Sequence, residues 1–460
     1  MRVWALVATL GVALYGCTTN NVSVPTPAPP PAPVAQRPSL QPAGPGPWRI
    51  TKTEWTKSDE DGFGEFVRRI AESGCTTTIA CMQSAANFYH DSDPPFLFHA
   101  DCAKWAYMLR AYYASKNGLP FSYVDKVASD AADPRFGMTS NRVRERRDII
   151  DSGSGADTVA ILKAIHDQVS TATFRMDAGA QGAELQDFYS PKIQPGSIHA
   201  GTTIYDINGH VMIVTEITPD GSILYVDAHP DESVTRGAYG PQVPNTPQSL
   251  GAGFKNFRPL QLVGAERRAD GSYIGGHVVL TANEAIADFS LEQYRGNAPD
   301  AKESAKDDAH NAQYRYNNAT LAFYEYVRAA MSNGSYAFNP VYEMEVAMGS
   351  LCRDAKEGTA EADARVKAGL ANLHADLSKA AAQWAERDLR VVYRGASLKQ
   401  TLADTYAAAE QACVKSGDGA QLAASALDRF EHGSPETDVS RLIAQIDDTS
   451  PFSGMRPVGY

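Results

Sequence analysis

Three short stretches of this chain carry residue types that can do chemistry together. Asp101-Cys102-Ala103 opens a run with helical spacing, Gly209-His210-Val211 opens a strand-like run, and Val226-Asp227-Ala228-His229 ends the next one. A cysteine at a helix start, a histidine entering a strand and an acid on the following strand are the parts needed for nucleophilic acyl transfer. The thiolate is the attacking species, a helix N-terminus and a neighbouring imidazolium both favour it, and a third polar group orients the imidazole. Asp227 follows His210 by seventeen residues. Asp227 and His229 alternate onto one strand face, so either can accept the His210 ring N–H as third member.

The elements that must position these groups are legible around them. Cys102, Ala106, Leu109 and Tyr113 share one face of a helix predicted over 102–117, with Asp101 placed as its N-cap and Gly118-Leu119-Pro120 as its stop. Helices are also predicted over 63–72, 76–89 and 158–170. The polar stretch 127–156, with Arg142, Arg144, Arg146 and Arg147, reads as an inserted loop. Runs of β-branched residues at 198–205, 211–217 and 223–226 are separated by the turn signals Asp206-Ile-Asn-Gly209 and Thr218-Pro-Asp-Gly221. A further pair, 260–263 and 277–280, is expected to complete an antiparallel sheet. Helices first and an antiparallel sheet afterwards is the α+β pattern. Alanine-rich periodic runs at 308–331, 341–356, 361–389 and 398–414 predict an all-α helical bundle behind it.

The N-terminus is of a different kind. Met1-Arg2 followed by an apolar run to Leu14 reads as an export signal, too short to span a bilayer in the mature chain. Leu14-Tyr15-Gly16-Cys17 resembles a bacterial lipobox, which implies a lipid on Cys17 and, with Thr18 next, delivery to the outer membrane facing the periplasm. Prolines recur from Pro25 to Pro47, a composition that extends as polyproline and cannot bury a core. The division expected is 1–17 signal, 18–47 linker, 48–282 mixed α/β domain and 283–460 helical domain. Of six cysteines, Cys17 is the lipid acceptor candidate. Cys75 pairs with Cys81 across a short loop, Cys352 with Cys413 within the helical region, and Cys102 is left as the free thiol. The net charge of −12, with no basic cluster dominating, argues against nucleic acid as a partner.

Three of these segments together resemble the NlpC-type cell-wall hydrolases of the papain-like superfamily. They are Asp101-Cys102-Ala103 with Gly118-Leu-Pro120 behind it, Gln194-Pro195-Gly196-Ser197-Ile198, and Gly209-His210-Val211-Met212-Ile213-Val214. Ala103-Lys104 stands where that family has Ser-Gly, and the interval between Cys102 and Pro195 is longer than its minimal domain uses. Val226-Asp227-Ala228-His229-Pro230 is nearer to transglutaminase-like enzymes, which place Asp-Pro on the strand after the histidine. The resemblance spans roughly 89–230 and implies a papain-like cysteine amidase or peptidase, with a cell-wall peptide or another envelope amide as substrate and no cofactor. The Cys102 backbone N–H would then be one oxyanion donor, with Tyr89 and His90 upstream as candidates for the second. Two other readings stand beside it: acyl transfer to an amine, as in transglutaminases, and a catalytically silent lipoprotein that binds or scaffolds through its helical region, whose partner the sequence does not name. A zinc site from His99, Asp101, Cys102, His210 and His229 has the right ligand chemistries but no close-spaced pair, so no metal is expected.

Overall fold

A computed structural model describes residues 46–90, 99–241, 243, 245–299, 307–336, 339–384, 398–415, 420–434 and 437–445. Cys17, the signal and nearly all of the linker lie outside them.

Local chemistry starts the first helices. Thr56 and Asp59 form a capping box at the head of α1 (Lys57–Glu72), each side chain taking the other's backbone N–H. Helix α2 (Thr78–Gln83) follows and is shorter than the expected 76–89, because Ser84 leaves helical geometry and its hydroxyl caps the Cys81 carbonyl at 2.8 Å. Helix α3 (Cys102–Asn117) ends on Gly118 in the left-handed region, φ 64°, where an added Cβ would strike the Thr51 hydroxyl. The expected loop at 127–156 is instead a hairpin of β1 (Phe121–Ala128) and β2 (Arg142–Ile149). Its outward charges pair across or near the ribbon, Lys126 with Glu145 at 2.6 Å and Arg142 with Asp130 at 3.1 Å. Helix α4 (Thr158–Gln168) packs on α3.

The main sheet is built from β3 (Phe188–Tyr189), β4 (Thr203–Asp206), β5 (His210–Ile217), β6 (Ile223–Ala228), β7 (Val234–Ala238) and β8 (Gly253–Phe257). Its order is β3-β8-β4-β5-β6-β7, antiparallel throughout. Contrary to the expectation from the sequence, strands β9 (Leu260–Val263) and β12 (His277–Leu280) do not complete it. They pair with each other as a separate ribbon around β10 (Glu266–Arg267) and β11 (Tyr273–Ile274). After the short α5 (Glu292–Arg295), the run expected to be helical from 308 begins as a second ribbon, β13 (Tyr314–Tyr316) and β14 (Ala319–Leu321). Asn317 and Asn318 both take positive φ at its turn, which the asparagine side chain tolerates and a helix does not use. Helix α6 (Phe323–Met331) comes only afterwards, then α7 (Pro340–Glu357), α8 (Ala360–Trp384), α9 (Leu398–Lys415), α10 (Ala420–Glu431) and α11 (Val439–Gln445).

Strand alternation gives the sheet two apolar faces. Val211, Ile213, Val226 and Ala228 point into a core with Phe63 and Phe66 of α1 and Trp105 and Tyr107 of α3. Met212, Val214, Ile223 and Tyr225 point the other way, into a core with Tyr326, Val327 and Met331 of α6. Each fully buried side chain of this size stabilises by about 1.5–3 kcal/mol. Helices α7 to α11 share a third core around Leu351, Leu370, Leu402 and Leu427, and α7 packs along β7. The described residues form one compact unit, with helices and antiparallel sheets in an α+β mixture. Among the described residues no helix is long and apolar enough to cross a membrane.

Candidate active site

Asp101 sits in extended backbone and accepts the Lys104 N–H at 3.2 Å, while the Lys104 ammonium pairs with its other oxygen at 2.5 Å. This cap sets Cys102 as the first residue of α3, where the backbone N–H groups have no partner inside the helix. Opposite it, the β4–β5 turn is closed by Asp206. Its backbone carbonyl accepts from Gly209 N–H at 3.0 Å and its carboxylate from Asn208 N–H at 2.8 Å. Gly209 has φ 92°, and a Cβ there would lie 2.6 Å from the Phe136 ring, so this position needs glycine. The turn brings the Gly209 carbonyl to 3.9 Å from the Cys102 sulfur, with the thiol as donor.

His210 is the next residue. Its Nε2 lies 2.8 Å from Asp227 Oδ2. The register explains the reach: Asp227 stands opposite Met212, two residues along from His210 on the same face, so the pair is diagonal. With Nε2 on the carboxylate, Nδ1 is the ring nitrogen left for the thiol, and Cys102 enters the ionisation of His210 both as a charge and as a hydrogen-bond partner. Burial by itself pushes the imidazolium down. The Cys102 charge and the Asp227 hydrogen bond more than offset it and hold His210 well above its ordinary value. Asp227 is fully buried, which would raise its pKa; the His229 side chain, the His210 hydrogen bond and Arg353 instead hold it well below the usual carboxylate range.

His229 is not the acceptor for His210. It stands 3.8 Å from Asp227 Oδ2, stacked on His210 with ring centroids 5.4 Å apart. The Thr235 hydroxyl lies opposite Asp227 on β7 and donates to Asp227 Oδ1 at 2.5 Å. His229 Nε2 therefore donates to Thr235 Oγ1, at 2.9 Å. Asp227 is the direct partner, and His229 braces it through Thr235.

The other expected residues fall as follows. Cys75 bonds to Cys81 and Cys352 to Cys413, and Cys102 is free. Tyr89 does not stand near the thiol. Its hydroxyl accepts from Asn117 at 2.8 Å, and its carbonyl from the Tyr112 hydroxyl at 2.9 Å, both in the far half of α3. Asn117 is some 22 Å along the helix from Cys102 at 1.5 Å per residue. His90 turns back onto the Asn87 carbonyl at 3.1 Å. His99 pairs with Glu232 at 2.5 Å. Among the described residues no group of three or more His, Cys, Asp and Glu could hold a metal ion.

Two residues went unread in the sequence. Thr235 belongs to a short strand, β7, that the β-branched runs did not reveal. Arg353 on α7 places Nε 3.6 Å from Asp227 Oδ2, and no local pattern in the sequence points to it. Beside it, the β4–β5 turn and helices α7 and α8 enclose an open cleft of about 490 Å³, mouth included, lined by Asp206, Asn208, Ser350, Asp354, Arg365 and Asn372 among others. Cys102 keeps 8 % of its surface exposed and the His210 side chain 12 %, so a reactant has only a narrow approach to them.

No protein-family model, curated protein or solved structure matches this chain.

Proposed function

We propose that this chain is a papain-like cysteine amidase or peptidase of the bacterial cell envelope, acting through Cys102, His210 and Asp227. One observation carries the reading: His210 is held by Asp227 through Nε2, and the residue before it, Gly209, sets its carbonyl 3.9 Å from the sulfur of Cys102, the lone free thiol among the described cysteines, which itself opens a helix. The Cys102 thiolate attacks the amide carbonyl carbon, and the backbone N–H groups at the head of α3 face the developing oxyanion. The C–N bond breaks as His210 protonates the departing amine, leaving a thioester. Water then attacks the thioester carbon with His210 taking its proton, which releases the acid and restores the thiol. Asp227 keeps the imidazole in the productive tautomer throughout. The export signal, the lipobox-like Cys17 and the proline-rich linker favour a lipid-anchored protein, so the substrate is an envelope amide, with peptidoglycan peptides first.

Iodoacetamide tests the site directly. Wild-type protein should be alkylated at Cys102 below neutral pH, located by peptide mass mapping, and His210→Ala should lose that low-pH reaction. A thiol that ignores the loss of His210 would leave Cys102 as a buried core residue and the silent, scaffolding lipoprotein as the better account.

A further inference from the structure

A carboxylate with no exposed surface survives as an ion only if nearby charge compensates it. Asp227 meets that condition with more than its histidine. Arg353 Nε lies 3.6 Å from the same Oδ2 that His210 uses, and its guanidinium is fixed from behind by the Tyr225 hydroxyl and by Ser350 Oγ at 2.7 Å. The Tyr225 ring lies under it, 5.0 Å from centroid to guanidinium carbon. Gly237 on β7 leaves the room, since a Cβ there would meet both Arg353 Nη1 and the Tyr225 hydroxyl within 2.7 Å.

We propose that Arg353 is a positioning residue of the Cys102–His210–Asp227 site, so that helix α7 completes the catalytic machinery. The inference rests on the cysteine-hydrolase reading above and gives the helical region a part in it. A guanidinium does not lose its proton. When His210 surrenders its own to the departing amine, Arg353 still compensates Asp227, and the carboxylate stays ionised and ready to draw the proton back. The guanidinium also takes up part of the carboxylate's field, which makes the imidazolium a better acid than an isolated His–Asp pair would be. The other charged groups facing this cluster are Cys102 from α3, Asp206 from β4, His229 beyond β6, Arg236 from β7, Asp354 from α7 and Arg365 from α8. His229 also compensates Asp227, from 3.8 Å and with its Nε2 given to Thr235, while Arg353 at 3.6 Å is the group at Oδ2 whose charge does not depend on a proton shared with the reaction.

The test is the pH profile of alkylation by iodoacetate on the full chain. This reagent is an anion, so its reaction needs the imidazolium beside the thiolate, and the alkaline limb of the rate reads deprotonation of His210. Arg353→Gln keeps hydrogen-bonding capacity toward Tyr225 and Ser350 but removes the charge. It should move the alkaline limb to higher pH, because deleting a nearby positive charge favours the imidazolium, and Arg353→Lys should move it back. A purely structural loosening of α7 would scale the rate at every pH and leave the limb in place. That result, an unmoved limb or a limb displaced downward would overturn the inference. If Arg353→Gln does not fold by near-UV circular dichroism, Arg353→Met, which preserves the apolar stem over Tyr225, makes the same measurement. His210→Ala separates the two levels: a profile that survives it sinks the Cys102–His210 reading itself, whereas one that it abolishes while Arg353→Gln changes nothing sinks only the role of Arg353.

Discussion

The two faces of the main sheet are buried alike and used differently. The face toward α1 and α3 is packed with aromatic rings, with Tyr107, Phe174, Phe188 and Phe257 in mutual contact. The opposite face, at its α7 end, carries His210, Asp227, Thr235 and Arg353 in one connected polar set. Alternation along β5 and β6 assigns His210 and Asp227 to the α7 side, while Cys102 arrives from the α3 side around the glycine turn at the head of β5. The site is thus made where two layers meet at one strand end, and neither layer holds it alone. Polar groups at that end are satisfied by each other. On the α3 face Lys255 of β8 is a deeply buried cation, and its hydrogen bond among the described residues goes to an amide oxygen, Gln186 Oε1 at 3.2 Å.

The largest effect should come from separating the layers chemically. Cys102→Ala and His210→Ala are each expected to lower amide hydrolysis of peptidoglycan peptides by roughly six orders of magnitude. The double variant should be no worse than either, because the two act as one unit. Rates measured by release of new amino groups would show this, and multiplicative losses would mean that the two layers do not cooperate.

Next comes the bracing of each layer. The Cys352–Cys413 bridge closes a separation of 61 residues and ties α7 to α9, whereas Cys75–Cys81 spans only 6 beside the α3 face. In the chain-entropy account these stabilise by about 4 and about 2 kcal/mol. Replacing both cysteines of a pair by serine should therefore cost more on the helical side in urea unfolding. Only that change should also displace the alkaline limb of Cys102 alkylation, since Cys352 adjoins Arg353. Equal displacements from both pairs would contradict the division of labour.

The same contrast explains what the sequence disclosed. Cys102, His210 and Asp227 were legible because each is announced within a few residues: a capping acid before the cysteine, a turn glycine before the histidine, a period-two strand around the acid. Arg353 was not, because its place beside Asp227 is set by how a distant helix packs, and it looks like any other charge on an amphipathic run. Thr235 was hidden by the brevity of its strand. The β1–β2 hairpin was mistaken for a loop because its second strand, Arg-Val-Arg-Glu-Arg-Arg-Asp-Ile, turns charge outward at most positions and shows little apolar alternation. The Tyr314–Leu321 ribbon was absorbed into a helix because aromatic and alanine residues suit either element, and the asparagine pair at its turn was overlooked. The uneven choice between Asp227 and His229 needed coordinates, since both sit on one face and only distance decides between them.

The smallest effect expected concerns the α3 face. Burial, aided by repulsion from Arg258 and opposed by Asp177, lowers Lys255 from 10.5 to about 7. The sign follows from proton counting. Between those values the unfolded chain binds the proton and the folded chain has released it, so this residue makes stability rise with pH, by at most about 1.4 kcal/mol per pH unit. Below the lower value both states are protonated and its contribution becomes flat. Lys255→Met fills a similar volume without a charge to desolvate. It should be more stable than wild type near neutral pH, with the advantage shrinking as pH climbs toward 10.5. Urea midpoints of the two proteins compared at three pH values across that window isolate Lys255, because all other titrations are common to both. Parallel curves would mean that Lys255 keeps its proton in the fold, and that this face compensates a buried charge as well as the α7 face does.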